Sequence, residues 1–346
     1  MDRGVGSCYT AVSLLAARDG HPLLHQARGA ARLDTIFDVA SMTKPLATTA
    51  AAMVLCAEGK LRVGDFVRRW VPEIDRMETR GMRLSHLLDH TSGLPAWAPF
   101  YERARTLAPS RRRASVRRRV AATPLEARPG ARTEYSDLNL ILADWVLERC
   151  SGTRLDRFTA RRIYRPLGLT RTFFVDLHRP EALPHPQKEF APTERCPWRK
   201  KRLRAEVHDD NCHSMGGVTG HAGLFSTAYE VHLLARELVA AYDGQRSLFD
   251  GQIVRKFFRW RRPADSPRRL GWATPQGLIS PGKYFGTNTV GHLGYTGTSL
   301  WIDLERHVWV VLLTNRVYYG RDPEQINHFR PRIHDAVMRE TQKYKS

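Results

Sequence analysis

Short runs of β-favouring residues lie near both ends of the chain and predict two hairpins. The first pair, from about Tyr9 to Ala17 and from Pro22 to Arg28, is separated by Arg18-Asp19-Gly20, in which Asp-Gly is a strong signal for a tight turn. The second pair, Ser299 to Asp303 and His307 to Thr314, is joined by a short charged turn. We expect strands from both ends of the sequence to form one antiparallel sheet.

Helical spacing of apolar residues is found at several places between the hairpins. The run from Ser41 to Gly59 is rich in Ala, Leu and Met, with Pro45 in its first turn and glycine at its end, which predicts one long apolar helix. A short helix is predicted over Leu84 to Leu88, with Ser85 as its N-cap, and a third over about Leu138 to Arg149.

The remaining segments complete the order of elements. A closing helix is predicted from about Pro323 to Arg339, although Pro331 must bend it or displace its start. Several prolines make the stretch from about Arg179 to His213 a long irregular connection, and connections of that length are often functional. The order hairpin, helices, hairpin, helix predicts an α+β fold. We interpret residues 1–346 as a single domain with two lobes, and two unrelated domains are the alternative.

Composition excludes several classes of protein. Among 346 residues, 42% are hydrophobic and 26% are charged, as in an ordinary globular protein, so a disordered chain or a solenoid is excluded. The five cysteines are odd in number and include no Cys-x-x-Cys pair, which favours free thiols over zinc or dithiol chemistry. The net charge of +20 and a pI near 10.3 raise nucleic acid as a candidate partner.

The sequence also bears on location. No stretch approaches the roughly 18 apolar residues of a membrane span, and Tyr9 to Ala17 lacks the basic-then-apolar layout of a signal peptide. We therefore expect a cytoplasmic protein from the sequence as written. A leader upstream of Met1 would instead make the protein periplasmic or secreted.

The segment Ser41-Met42-Thr43-Lys44 carries the first candidate chemistry. A serine and a lysine three residues apart at a helix start lie on one face and within reach of each other. A serine hydroxyl needs a neighbouring base to become a nucleophile, and a neutral lysine can be that base while the helix N-terminus stabilises the alkoxide. The pattern alone is weak, because a capping serine followed by a solvated lysine gives the same letters.

Two further motifs follow Ser-x-x-Lys in the order found in one superfamily. They are Tyr135-Ser136-Asp137 at the start of the third helix and His292-Leu293-Gly294-Tyr295-Thr296-Gly297 before the C-terminal strands. Together with segments 37–40, 87–95, 220–227 and 298–303, they make the chain resemble the serine β-lactamase and penicillin-binding-protein superfamily from about Thr10 to Asn315. Within that superfamily the chain resembles the relatives of class C β-lactamases, D-Ala-D-Ala carboxypeptidases and family VIII esterases.

The resemblance implies a β-lactamase/transpeptidase-like fold, in which helices flank an antiparallel sheet and a mostly helical lobe is inserted. The sheet lobe would comprise residues 1–60 and 212–346, and the helical lobe residues 61–211, with the site in the cleft between them. It also implies a peptide or small-molecule substrate, without a metal or another cofactor.

Roles follow from motif position in the resemblance. Ser41 would form the acyl-enzyme, Lys44 would assist its deprotonation, and Tyr135 would act as general base and then as general acid. Because a phenol is a weak acid, nearby cations must stabilise its phenolate, and we expect Lys44 and His292 to supply that charge. The oxyanion hole would consist of the backbone N–H groups of Ser41 and Tyr295.

Further residues near these motifs are candidate contacts for the substrate. Gly294 lacks a side chain, and we expect this to let the substrate approach the strand edge. The resemblance places Asn211 at the rim of the site, and Thr296 and Gly297 are the other candidate substrate-binding residues.

Two residues depart from the usual pattern of the superfamily. Asp137 stands where asparagine is usual, and a carboxylate there favours a charged Lys44, which shifts the role of base towards Tyr135. His292 replaces the lysine of Lys-Thr-Gly, and because histidine is neutral much of the time at pH 7, capture of a substrate carboxylate should weaken. We therefore expect carboxypeptidase or esterase chemistry rather than efficient hydrolysis of β-lactams.

Three other interpretations are weighed against this enzyme. A protein that kept the fold but lost turnover would be a binding or sensing module. The arginine-rich runs 111–119 and 199–202 would suit nucleic acid, but they lack interleaved aromatic residues and no known nucleic-acid-binding motif accompanies them. His86 and His90 have metal-ligand spacing, but no third ligand is evident, so a packing role is favoured. The sequence does not specify the oligomeric state.

Overall fold

Antiparallel strands from both ends of the chain form the main sheet of the computed structural model, which describes residues 1–261, 266–276 and 280–343. The strands in these residues are β1 (Ala11–Arg18), β2 (His21–Gly29), β3 (Phe37–Asp38), β4 (Phe173–Phe174), β5 (Arg195–Cys196), β6 (Lys201–Arg202), β7 (Leu224–Ser226), β8 (Thr289–Leu293), β9 (Ser299–Asp303) and β10 (Val308–Thr314). The main sheet has the order β2-β1-β10-β9-β8, with Val12 paired to Thr314 and Arg18 to Val308. Both predicted hairpins and their shared antiparallel sheet are confirmed.

Helices lie before, between and after these strands. The α-helices of the described residues are α1 (Ala50–Ala57), α2 (Val67–Trp70), α3 (Leu84–Leu88), α4 (Phe100–Ala104), α5 (Pro109–Ala122), α6 (Asp137–Ser151), α7 (Leu155–Thr159), α8 (Asp210–Ser214), α9 (Ala228–Tyr242), α10 (Gly251–Arg259) and α11 (Glu324–Lys343). Two smaller sheets accompany them, one of order β3-β7-β4 and one formed by β5 and β6. The mixture of an antiparallel sheet and flanking helices is the predicted α+β fold.

Both faces of the main sheet are covered, because side chains alternate along each strand. Along β1, Leu15 and Ala17 belong to the large core that includes α1, α6 and α9. Leu14 and Ala16 point to the other face and join a second core beneath α11. In the large core, Trp309 Nε1 donates a hydrogen bond to Nδ1 of His232 at 3.0 Å, which satisfies two buried polar groups.

The helix after the predicted nucleophile differs from the prediction of one long α-helix over Ser41 to Gly59. A 3-10 turn over Ala40–Met42 is followed by a π-helical segment over Lys44–Thr49, and only then by α1. Pro45 has no N–H to donate, which removes one α-helical hydrogen bond from this turn. Segments of π-helix inside helices occur frequently at functional sites.

One smaller prediction about helices is corrected, and another is narrowed. Ser85 is not the N-cap of α3, because that helix begins at Leu84 and its N-cap is Arg83. The backbone N–H of Arg83 donates to Nδ1 of His86 at 3.2 Å, so this histidine takes the place of the Glu or Gln of a capping box. Pro331 does not displace the start of the closing helix, because α11 begins at Glu324 and continues through the proline to Lys343.

The division into lobes stays a proposal. We propose that residues 61–211, which carry α2 to α7 and only short strands, form the helical lobe beside the sheet lobe of residues 1–60 and 212–346. Within the described part of the chain, every helix is too short or too polar to serve as a membrane span.

Candidate active site

The short strand β3 leads directly into the turn that carries Ser41. Ala40, just before the serine, adopts a φ of +49°, a left-handed conformation that is unfavourable for a residue with a Cβ. Asp38 holds this turn, because its Oδ1 accepts a hydrogen bond from Ala40 N–H at 2.9 Å and its Oδ2 accepts one from His208 N–H at 2.7 Å. Burial raises the pKa of the Asp38 carboxyl despite these two hydrogen bonds. Contacts from a distant loop therefore hold the strained turn that presents Ser41 to a cavity.

Lys44 is completely buried beside the serine and contacts three groups. Its Nζ donates hydrogen bonds to Ser41 Oγ at 2.9 Å and to the carbonyl oxygen of His221 at 3.0 Å. Asp137 Oδ1 lies 2.7 Å from the same Nζ, in an ion pair whose angles fall short of a hydrogen bond. Burial lowers the pKa of the Lys44 ammonium, but interactions with Asp137 and Tyr135 outweigh burial and raise it overall. At neutral pH Lys44 is therefore a charged donor to Ser41, with no lone pair to accept its proton.

Two cations lie near the ring of Tyr135. The Lys44 Nζ is 5.1 Å from the centroid of the Tyr135 ring, and the guanidinium carbon of Arg268 is 4.6 Å from it. A cation near the face of an aromatic ring is attracted to the negative charge density of that face. Arg268 was not predicted from the sequence, because it belongs to none of the recognised motifs.

Two histidines flank the same tyrosine as neutral groups. The rings of His292 and His90 lie 6.1 Å and 4.7 Å from the Tyr135 ring, centroid to centroid. Burial, together with the charges of Lys44 and Arg268, keeps the pKa of His292 well below its usual range. The same causes lower the pKa of His90. The prediction that His292 supplies positive charge is therefore wrong, and Arg268 supplies it instead.

Hydrogen bonds define what each histidine can do. Nδ1 of His292 lies 2.8 Å from the carbonyl oxygen of Leu293, which can only accept, so Nδ1 carries the proton and Nε2 is an acceptor. Nδ1 of His90 accepts from Ser136 N–H at 3.1 Å, which fixes the residue next to Tyr135. Both His90 and His86 use Nδ1 to accept a backbone N–H, as the packing interpretation predicts. In the described ranges, no group of three His, Cys, Asp or Glu residues could hold a metal ion.

The turn that begins at Gly294 lines the same cavity as Ser41. A Cβ on Gly294 would lie 2.0 Å from Thr298 Oγ1 and 2.5 Å from the carbonyl oxygen of Val39. Glycine is therefore required because this turn packs tightly against the strand before Ser41. This requirement lies within the protein, and the expected close approach of the substrate at Gly294 stays a prediction.

The side chain of Tyr295 contacts two residues through its ring and a third through its hydroxyl. The His208 ring stacks on it at 5.6 Å, and the guanidinium carbon of Arg316 lies 4.3 Å from its centroid. Arg316 Nε donates to the Tyr295 carbonyl oxygen at 2.6 Å, and the Tyr295 hydroxyl donates to the carbonyl oxygen of Arg321 at 3.0 Å. Among the described residues none accepts a hydrogen bond from the Tyr295 N–H, which is thus free for an oxygen of the substrate.

The three residues predicted to contact substrate use their polar atoms or backbone inside the protein. Thr296 is completely buried, and its hydroxyl donates to the carbonyl oxygen of Asp38 at 2.7 Å. Gly297 has a φ of +92°, so it allows the turn rather than binding a ligand. The buried amide of Asn211 accepts from Tyr101 N–H at 2.9 Å and donates to the Ala98 carbonyl at 2.9 Å. The side chains of Thr296 and Asn211 are therefore corrected to supporting roles, and a substrate contact at Gly297 stays a prediction.

The cavity beside Ser41 is rich in arginine. It measures about 250 Å³ and is lined by Ser41, Tyr135, Arg268, Ala273, His292, Leu293, Gly294, Tyr295, Arg316, Pro323, Ile326, Asn327 and Arg330. No carboxylate occurs among these lining residues. Arg330 is buried, and its Nε lacks a hydrogen-bond partner in the described structure. Burial and the nearby Arg316 lower the pKa of Arg330 to about 10, which leaves it charged at neutral pH.

Comparisons with known proteins identify related sequences. The family model described as Beta-lactamase matches residues 9–333. A protein of Salmonella agona (strain SL483) named "Putative D-alanyl-D-alanine carboxypeptidase" is 33% identical over 349 residues, which cover 89% of this chain and 79% of that protein.

Solved structures are similar in fold at lower sequence identity. Simvastatin synthase from Aspergillus terreus has a TM-score of 0.72 at 20% identity, over 99% of this chain and 96% of that one. The octameric penicillin-binding protein homologue from Pyrococcus abyssi has a TM-score of 0.70 at 19% identity, over 95% of this chain and 74% of that one. At these identities the structures support the fold alone.

Proposed function

The chain belongs to the beta-lactamase family, and we propose that it acts there as a serine carboxypeptidase through an acyl-enzyme on Ser41. One observation carries the proposal. Ser41 and Tyr135 line a cavity whose charged lining residues, in the described structure, are all arginines. Such a cavity combines a nucleophile with positive charge that suits the free carboxylate at the end of a peptide.

We propose that Tyr135 takes the proton of Ser41. Lys44 is protonated, so it cannot act as the base. We propose that its charge, together with that of Arg268, stabilises the phenolate of Tyr135. Ser41 Oγ then attacks the carbonyl carbon, and the negative oxygen that forms accepts hydrogen bonds from the N–H groups of Ser41 and Tyr295.

The second half of the reaction reverses these proton transfers. Tyr135 returns the proton to the leaving amine, whose departure leaves an ester on Ser41. A water molecule then gives a proton to Tyr135 and attacks the ester. Ser41 recovers its proton from Tyr135, and the product acid is released. Lys44 stays protonated throughout and positions Ser41 Oγ by its hydrogen bond.

Arg330 and Arg268 are the residues that we propose bind the substrate carboxylate. Both are buried, and neither has a carboxylate partner among the described residues. A buried cation without a partner is unfavourable, so a carboxylate that enters the cavity would remove this cost. His292 is neutral, so it cannot supply the positive charge of the lysine in Lys-Thr-Gly. We propose that the two arginines supply this charge instead.

Ester hydrolysis is the second candidate. Its support is the apolar part of the cavity, formed by Ala273, Leu293 and Ile326, which suits an acyl or alkyl group. The nucleophile and oxyanion hole serve amides and esters alike, since both pass through the same tetrahedral intermediate. An inactive binding module and an efficient β-lactamase are the remaining alternatives.

The test compares two peptides that differ only at the carboxylate, together with substrates of the other candidate activities. Purified protein is assayed with an acylated D-Ala-D-Ala peptide, with the same peptide as its C-terminal amide, with p-nitrophenyl esters and with nitrocefin. We expect release of D-Ala, with kcat/KM for the acid above that for the amide by about tenfold or more. Equal values for acid and amide, or turnover of esters alone, would contradict the carboxypeptidase proposal. Binding without turnover of any substrate would favour the binding module.

A further inference from the structure

A second recess opens beside α7 and β4, apart from the catalytic cavity. It measures about 570 Å³, and the charged residues that line it are Arg154, Asp156, Arg157, Arg161 and Arg165. It shares no lining residue with the cavity of Ser41. Four positive charges thus face one negative charge in a recess that the proposed peptidase reaction does not use.

The carboxylate of Asp156 does not neutralise this row of arginines. Its two oxygens accept hydrogen bonds from Nε and Nη2 of Arg154, both at 2.7 Å. Arg154 Nη2 also donates to Asp176 at 2.5 Å, so two carboxylates are engaged by one guanidinium. Of the carboxylates in the described residues, none forms an ion pair with Arg157, Arg161 or Arg165.

These three arginines recur at four-residue spacing along consecutive segments of the chain. Arg157 belongs to α7, Arg161 lies in the π-helical segment Ala160–Tyr164 that follows it, and Arg165 comes directly after that segment. Residues four apart on an α-helix are neighbours, with Cβ atoms roughly 5–6 Å apart, and here all three arginines line the same recess. Adjacent phosphate groups would therefore meet adjacent guanidinium groups, each of which can bind two phosphate oxygens.

The recess continues into a narrower one that extends the basic surface. The second part measures about 200 Å³ and shares Arg154, Asp156 and Arg157 with the first. It adds Arg179, which has no described ion-pair partner, and Asp176, which Arg154 already engages. Arg157 therefore lies where the two parts meet. Arg161 and Arg165 lie on one side of it and Arg179 on the other, and none of them is paired with a described carboxylate. We call the two parts together the arginine groove.

We propose that the arginine groove binds the diphosphate group of a small ligand. A terminal diphosphate carries about three negative charges at neutral pH, which matches the three unpaired guanidinium groups of Arg157, Arg161 and Arg165. Two linked phosphates suit the helical spacing of these side chains, whereas a single carboxylate would engage one of them. This ligand chemistry differs from that of the catalytic cavity, so the inference does not depend on the proposed peptidase activity.

The experiment titrates the full-length protein with inorganic pyrophosphate in a calorimeter at about 0.15 M salt, where diffuse attraction is screened. The groove variant is Arg157→Gln/Arg161→Gln. The control Arg111→Gln/Arg118→Gln removes the same charge from exposed positions of α5. We expect saturable binding, weakened about tenfold or more in the groove variant and unchanged in the control. Turnover of p-nitrophenyl esters should stay the same in both.

Several outcomes would overturn the proposal. One is the absence of saturable binding of pyrophosphate. Another is an equal loss of binding in the control, which would mean that the net charge of the protein, and not the groove, causes the binding. Binding of phosphatidylglycerol vesicles or duplex DNA that depends on the groove, without binding of pyrophosphate, would assign the groove to a macromolecule. Thermal unfolding checks that each variant is folded, and the single variant Arg165→Gln replaces the double variant if that one unfolds.

Discussion

Lys44 Nζ lies 2.7 Å from Asp137 Oδ1, and the proton transfer that we propose for Ser41 depends on this ion pair. The carboxylate keeps the buried ammonium charged, so its hydrogen bond to Ser41 Oγ is that of a donor. Tyr135, whose ring lies beside Lys44 and Arg268, is the base in the proposed mechanism. On this proposal, the aspartate that departs from the motif of the superfamily changes how protons move.

Replacing Tyr135 and Asp137 in turn tests this division of roles. Tyr135→Phe removes the base, so we expect kcat to fall by roughly a hundredfold or more. Asp137→Asn keeps the shape and removes one charge from a residue that transfers no proton, so we expect activity to stay within about tenfold. Steady-state kinetics on one ester and one peptide measure both effects. Similar losses in the two variants would contradict the assignment.

The pH dependence of the Asp137→Asn variant gives an independent readout. The charge of Asp137 raises the pKa of Lys44 against the opposing effect of burial, so its removal lets that pKa fall. Lys44 then loses its proton at a lower pH than in the natural protein. We expect the alkaline limb of the kcat profile to move to lower pH in the variant. An unchanged alkaline limb would mean that the charge of Lys44 does not matter for turnover.

Arg268 should affect catalysis through the charge that it places beside Tyr135. Arg268→Gln removes a cation 4.6 Å from the ring, so the phenolate becomes harder to form. We expect kcat for an uncharged ester to fall by roughly tenfold at neutral pH. Arg268→Lys keeps the charge and is the matched control, in which kcat should stay near that of the natural protein. An unchanged kcat in Arg268→Gln would remove Arg268 from the reaction.

The left-handed conformation of Ala40 makes a prediction about stability. Ala40→Gly relieves the clash of the Cβ, so we expect the free energy of unfolding to be unchanged or to rise by about 1 kcal/mol. Ala40→Val adds a β-branched side chain at a φ of +49°, which should lower it by about 1–3 kcal/mol. Urea unfolding measures both. A valine variant as stable as the natural protein would show that the turn is not strained.

Glu206 should stabilise the fold in a pH-dependent way. It lies 2.5 Å from Lys201 Nζ, 3.1 Å from Nδ1 of His213 and 3.3 Å from Arg199 Nη1. Burial alone would raise its pKa, but the close contacts with His213 and Lys201 and the nearby charge of Arg199 lower it from 4.5 to about 2. The stability from this lowered pKa is present above pH 4.5 and is lost as the pH falls through 2.

The variant Glu206→Gln checks this dependence. At pH 7 we expect its free energy of unfolding to be lower by on the order of 2–3 kcal/mol. The difference from the natural protein should shrink steadily between pH 4.5 and pH 2. Urea unfolding at several pH values provides the measurement. A difference that stays constant over this range would mean that the ionised carboxylate does not stabilise the fold.

The sequence predicted those features that depend on local patterns. Runs of β-favouring residues and an Asp-Gly turn identified β1 and β2, and the order of elements identified the fold class. The spacing of Ser41 and Lys44, supported by the later motifs around Tyr135 and His292, predicted the residues that line or adjoin the cavity. These signals are short in sequence, so they can be recognised without knowing how the chain folds.

Other features depend on segments that meet only in the folded chain. Arg268 and Arg330 belong to no motif, and only the fold brings both to the cavity of Ser41. His292 is neutral because it is buried near two cations from other segments, which its motif cannot reveal. Gly294 is explained by its contact with the Val39 carbonyl, which lies far away in the sequence.

The most direct test of the acyl-enzyme is labelling of Ser41 with a fluorophosphonate, followed by intact-mass spectrometry and peptide mapping. We predict one covalent adduct, mapped to Ser41, which is absent from Ser41→Ala and forms about a hundredfold more slowly in Tyr135→Phe. An adduct that persists in Ser41→Ala, or that maps to another residue of the natural protein, would contradict the central claim that Ser41 is the nucleophile.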